Sequence, residues 1–323
     1  MKTVLDPYLF MLIATVILAA IFPAHGVGRD ITDIAVTFAV GLLFFLYGAR
    51  LMPSAIWQGV ANWRLQLLVL AGTFIFFPIL GLIVAEATGP FLPKDMVMGL
   101  LYLCLLPSTV QSSIAFTSIA RGNVPAALCS ASVSNLIGVV ITPLLVALFL
   151  STSNEGFSFG AIEKIALQIL LPFLAGQLCR PFIGNFLTKH KLLTLSVDRG
   201  SILLVVYAAF SAGMVANIWQ QVSVTDLLII ILIDIIMLAI AIVTMTFTAR
   251  RLCFTKQDEI AIVFCGSKKS MASGIPIATI LFPASIVSLL VLPLMIFHQI
   301  QLFVCTILAQ RYARRDNNKD SSL

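Results

Sequence analysis

Lys268 and Lys269 stand side by side in the middle of an apolar stretch, Ile260–Phe282. On insertion scales one such cation costs about 2.5–3.5 kcal/mol at the centre of a bilayer, so two in succession mark a place where charge is used. They belong to the run Cys265-Gly266-Ser267-Lys268-Lys269-Ser270-Met271-Ala272-Ser273-Gly274-Ile275-Pro276. Its glycines and proline interrupt a helix, and its serines supply hydroxyls. A lysine so placed can hold an anion, replace a metal cation or pass a proton. The competing reading is that both side chains reach the membrane surface and merely anchor the helix. A second run of this kind, Pro107-Ser108-Thr109-Val110-Gln111-Ser112-Ser113, breaks another apolar stretch after Leu106.

Asp234 is the single carboxylate deep in an apolar stretch. At 1.5 Å per residue it lies roughly 12 Å from the outer end of its stretch. Lys268 lies about 15 Å from the inner end of its own, a similar depth in a core of about 30 Å. Asp234 is therefore expected either to pair with Lys268 or Lys269 or to hydrogen-bond a neighbouring helix. Gln111, Ser112, Ser113, Ser267, Lys268, Lys269, Ser270 and Ser273 are expected to border one polar cavity, with Asn135 and Asp234 contributing. His298, Gln299 and Gln301 either line the same region or bridge helices.

Other chemistries lack their residues. His25, His190 and His298 are the only histidines and are too scattered for a metal cluster. No Ser–His pair or second membrane aspartate supports intramembrane proteolysis, and no Walker-type glycine loop supports ATP hydrolysis. Neither a catalytic residue nor a cofactor is expected. The six cysteines form no metal-type spacing and read as small packing residues.

These residues need helices in a membrane to position them. The chain has 323 residues, 60% hydrophobic and 11% charged, more apolar surface than one soluble core hides. Ten apolar stretches of spanning length follow one another, close to Tyr8–Ala24, Ile31–Met52, Leu65–Ala85, Met96–Ala120, Val124–Leu150, Ala161–Leu178, Ser201–Ile218, Leu227–Thr248, Ile260–Phe282 and Ser285–Ala309. With the N-terminus inside, fifteen of the twenty lysines and arginines fall on the cytoplasmic side, against Arg29, Lys94 and Lys164 outside. That bias puts both termini in the cytoplasm. The net charge of +6 forms no solvated basic domain, so nucleic acid is not an expected partner. Met1–Ala24 could alternatively pass for a signal peptide. Trp57, Trp63 and Trp219 fit interfacial anchors. The polar tail 311–323 is expected to be disordered near anionic headgroups.

The two broken stretches are the fourth and the ninth, the fourth of each set of five. Five is odd, so two five-helix repeats would lie upside down to each other, 1–150 and 151–310, with the breaks meeting near the midplane. The expected fold is an all-α membrane protein of about ten transmembrane helices in two inverted repeats.

The residues now carry a resemblance. Ala120-Arg121-Gly122-Asn123-Val124 is similar to the A-R/K-G-N-V signature of the bile acid:sodium symporter family, with Pro107, Ser112-Ser113 and Ser132-Val133-Ser134 on the same helix pair. Phe264–Ser270 resembles the cotransporter 7 branch and its bacterial relatives. The resemblance implies a core domain of spans three to five and eight to ten, with crossing interrupted helices, and a panel domain of the other four. It implies transport of a small organic anion by alternating access, with sodium as the coupling ion. Sodium-coupled members place oxygen ligands where this chain has Thr73, Ser113, Ile114, Ala127, Ala131, Ser267, Met271 and Ala272. Most of those oxygens are absent, so coupling to sodium is expected to be altered or lost, with a lysine ammonium in its place. The branch also implies an alternative, a membrane regulator of calcium homeostasis without transport. Substrate identity and oligomeric state are not legible.

Overall fold

A computed structural model describes residues 7–50, 62–150 and 166–320. Trp57 and Lys164 of the sequence analysis lie outside them. The described residues are helical: α1 (Pro7–Ile21), α2 (Val27–Arg50), α3 (Trp63–Ala71) running through a π-helical turn (Gly72–Phe76) into α4 (Phe77–Thr88), α5 (Lys94–Leu105), α6 (Gln111–Ile119) and α7 (Val124–Phe149). A second π turn (Ala166–Leu170) opens α8 (Leu171–Lys189). Then come α9 (Lys191–Val215), a 3-10 turn (Ile218–Gln221), α10 (Val224–Arg251), α11 (Lys256–Gly266), α12 (Met271–Leu281) and α13 (Ala284–Asp320). Seven of the helical segments are long and apolar enough to cross a membrane, and α1 is a shorter apolar helix. The expected disordered tail is instead helical as far as Asp320, as a continuation of α13.

Both expected breaks are present. The fourth stretch splits into α5 and α6 around residues 106–110, and the ninth into α11 and α12 around residues 267–270. Each is narrower than the polar run that announced it, because Ser112, Ser113 and Met271–Gly274 are already helical. Pro107 explains the first. The residue before a proline is pushed out of the helical region, and Leu106 takes φ −80° and ψ 155°.

The described chain forms two compact units. The first comprises α1, α2, α8, α9, the end of α7 from Pro143, and residues 272–292. Within it α2 and α8 approach to backbone contact. A Cβ on Gly48 would lie 1.9 Å from the Phe173 carbonyl oxygen, and one on Gly176 would lie 1.9 Å from that of Phe45. Small residues at such crossings are the usual means of helix association in lipid. Arg50 ties α2 to α9 through two bonds to Asp198, 2.6 and 3.1 Å, and a third to the Thr194 carbonyl.

The second unit comprises α3 to α7 as far as Thr142, α10, α11, Met271 and α13 from Pro293. The Ala120–Val124 motif has a structural role here. Arg121 takes a left-handed φ of 58°, and Asn123 bonds the Gln257 carbonyl and the Asp258 carboxylate while capping α7 at Ala126. A Cβ on Gly122 would lie 2.5 Å from Ile260 Cγ2, so only glycine lets the turn seat against α11. Thr255 caps α11 by accepting from the Asp258 N–H. Glu259 collects Arg250, Lys256 and the Tyr312 hydroxyl.

Candidate ion and substrate site

Lys268 and Lys269 lie in the nonhelical segment between α11 and α12, and both side chains have no solvent exposure. The surface-anchoring reading is thereby excluded. The two diverge completely in their partners.

Lys269 Nζ donates to three backbone carbonyls: Thr73 at 2.9 Å, Cys104 at 2.9 Å and Leu106 at 2.7 Å. Three acceptors require three hydrogens, which only the ammonium form supplies. The Phe77 ring lies 4.2 Å from the same nitrogen. Each of these carbonyls is free for a local reason. In the π turn, the Phe77 N–H bonds Gly72 rather than Thr73. At the first break, the Ser108 N–H that would have reached Cys104 bonds the Ser134 hydroxyl instead. Leu106 lies past the end of α5, before α6 begins. The backbone of Lys269 is clamped as well. Its N–H donates to Gln301 Oε1 and its carbonyl accepts from Gln301 Nε2, both at 3.0 Å. Gln301 in turn lies 2.8 Å from His298 Nδ1.

Lys268 Nζ makes one hydrogen bond, to Ser112 Oγ at 3.2 Å, and otherwise faces the rings of Phe116 at 4.6 Å and Phe264 at 5.7 Å. Ser112 connects to Thr109 at 2.7 Å, and Ser113 donates to the Phe264 carbonyl. Ser112 is half-buried and Gln111 is exposed, so this polar string leads outward from Lys268.

The expected residues are thus only partly assembled. Ser112, Ser113, Lys268, Lys269, Ser270 and Asn135 are joined by hydrogen bonds around the first break, with Ser270 N–H on the Pro107 carbonyl and Asn135 Nδ2 on the Ser108 carbonyl. Ser267 turns back onto Val263 of its own helix at 2.6 Å. Ser273 belongs to the first unit and Asp234 to the second. The expected pairing of Asp234 with a lysine does not form: neither carboxyl oxygen has a hydrogen-bond partner, and both lysines donate elsewhere. Depth along the bilayer had placed them at one level, but depth says nothing of direction around a helix. Sequence reasoning missed the importance of Gln301 and of Thr142, whose hydroxyl takes the Leu105 carbonyl at 2.9 Å. It also missed the π turn, whose signal is Gly72 followed within two turns by Pro78. Among the described residues no group of three metal-ligating side chains comes together.

Residues 6–314 match the model of the SBF-like CPA transporter family (DUF4137). A protein of Escherichia coli (strain K12), named "Putative symporter YfeH", is 51% identical over 312 residues, covering 97% of this chain and 94% of the relative. A Pseudomonas aeruginosa protein is 52% identical over 98% of this chain and 96% of its own length. Sodium/bile acid cotransporter 7-A of Xenopus laevis is 28% identical over 92% of this chain and 88% of the relative. With one family model spanning nearly its whole length, the chain belongs to the SBF-like CPA transporter family and is an integral membrane transporter, not an enzyme.

Proposed function

We propose that this protein is a secondary carrier for a small organic anion, working by alternating access without bound sodium. One observation supports it above the rest. An internal ammonium, Lys269, fills a cage of three carbonyls at 2.7–2.9 Å between a π turn and a helix break. A tethered cation supplies the charge permanently, so no sodium need be recruited from solution. The names of the relatives, a symporter and a bile acid cotransporter, fit a small anionic solute. In this reading ten crossings form two inverted repeats, both termini are cytoplasmic, and the membrane is the bacterial inner one.

Proteoliposome counterflow tests it. Radiolabelled taurocholate and benzoate serve as probes, with all sodium replaced by choline. Saturable counterflow in choline supports the carrier. A strict sodium requirement overturns the sodium-free part, and binding without exchange favours the regulator.

A further inference from the structure

Asp234 sits in the inward stripe of α10 with Ile230, Met237, Leu238 and Ala241, all buried. Its side chain has no exposure, and both carboxyl oxygens lack a hydrogen-bond partner. A carboxylate there is an uncompensated charge in an apolar wall, and natural structures rarely leave such a group without a use. The cation that could have balanced it is committed, because every hydrogen on Lys269 Nζ is held by a backbone carbonyl. The thiol of Cys104 on α5 is an ionisable group within electrostatic reach of Asp234. Cys104 also connects the two charges, since its carbonyl accepts from Lys269.

We propose that Asp234 is a proton-binding site of the transport cycle, carrying the coupling proton where relatives would use a metal cation. The division of labour follows from the partners. Lys269 is fixed and cannot release a proton without leaving a carbonyl unmet. Asp234 has nothing to hold it, so an O–H bond can form and break there at no cost to other contacts. When water reaches the site from one side, hydronium gives its proton to a carboxyl oxygen and leaves as water. The neutral carboxyl is then compatible with the dry state. On the other side the O–H bond breaks, water accepts the proton, and the carboxylate remains until it is protonated again.

The inference rests in part on the carrier reading, so the experiment has two separable arms. The first needs no substrate. Infrared difference spectra of wild-type protein minus Asp234→Asn, in reconstituted membranes, should show a protonated-carboxyl band that shifts on transfer to deuterium oxide. No such band, or one that stays unshifted over hours, overturns the proposal, because a carrier proton must exchange. The second arm uses taurocholate. A gradient of one pH unit is worth a factor of about ten in accumulation for one coupled proton. Asp234→Asn should lose that factor while counterflow persists, and retention of gradient-driven uptake in the variant overturns the coupling role. If wild-type counterflow itself fails, the carrier reading falls while the infrared arm still decides the proton site.

Discussion

Replacing Lys269 with methionine keeps the unbranched apolar stem, one atom shorter, and deletes the ammonium, leaving the carbonyls of Thr73, Cys104 and Leu106 without a donor. Hydrogen bonds between membrane helices average about 0.6 kcal/mol and reach about 1.7, so three of them bracket a loss of roughly 2–5 kcal/mol. The contact with the Phe77 ring adds to this. Recovering the ammonium's own desolvation cost pulls the net loss toward the lower figure. At about 2 °C per kcal/mol, the expected fall in Tm is about 4–10 °C. Lys268→Met removes one longer bond at 3.2 Å and two ring contacts, so it should cost at most about half as much. Thermal unfolding in detergent, followed by tryptophan fluorescence, reads both variants. In Lys269→Ala, added methylammonium should recover part of the lost Tm, and tetramethylammonium, which has no N–H or O–H to donate, should not. If both methionine variants melt with the wild type, or if Lys268→Met is the more damaging, the carbonyl cage does not carry the stability assigned to it.

Other substitutions test other parts of the structure. Gly176→Leu should abolish the close crossing of α2 and α8 and give little folded protein by size-exclusion chromatography, whereas Gly200→Ala, with open space at its Cβ, should behave as wild type. Gly122→Ala should cost about 1–3 kcal/mol through the clash with Ile260, and Ile260→Ala in the same chain should restore part of the Tm. Asp198→Asn should weaken the two-pronged bond from Arg50 by up to about 3 kcal/mol, with a loss measurable in the same melts. Gln301→Leu should release the backbone of Lys269, which hydrogen exchange should show as faster exchange of the Lys269 amide.

What the sequence made legible was set by punctuation. Pro107 and the Gly-Ser-Lys-Lys-Ser run announced two breaks because a missing N–H, a missing Cβ and a charge each oppose a lipid-buried helix. The Ala120–Val124 motif was readable as a resemblance, but its work was not. That work depends on a left-handed Arg121 and on a glycine pressed against Ile260, which is distant in the chain. Directions around helices were the other gap. Asp234 and Lys268 were matched by depth, yet the Asp234 carboxyl oxygens have no hydrogen-bond partner while Lys268 faces Ser112 and Phe116 on α6. Gln301 drew notice beside His298 without a role, since a side-chain amide that imitates a backbone strand partner leaves no trace in spacing.

The carbonyls across the break after α5 are held rather than loose. Six consecutive carbonyls illustrate this. Leu103 accepts from the Leu106 N–H, Cys104 and Leu106 from Lys269, Leu105 from Thr142, Pro107 from the Ser270 N–H, and Ser108 from Asn135. Four of these donors come from α7 and from the second break, so neither break can straighten alone without stranding carbonyls in a site that excludes water. Refolding of these helices during a transport cycle is therefore costly, whereas moving both breaks together leaves every bond in place. The fixed ammonium favours the same outcome. A sodium ion can leave and let its ligands relax, but Lys269 stays bonded to the segment it braces. In the proposed carrier function the braced assembly would move as a whole, and Asp234, whose carboxyl oxygens stand outside the hydrogen-bonded set, is the group proposed to signal that movement.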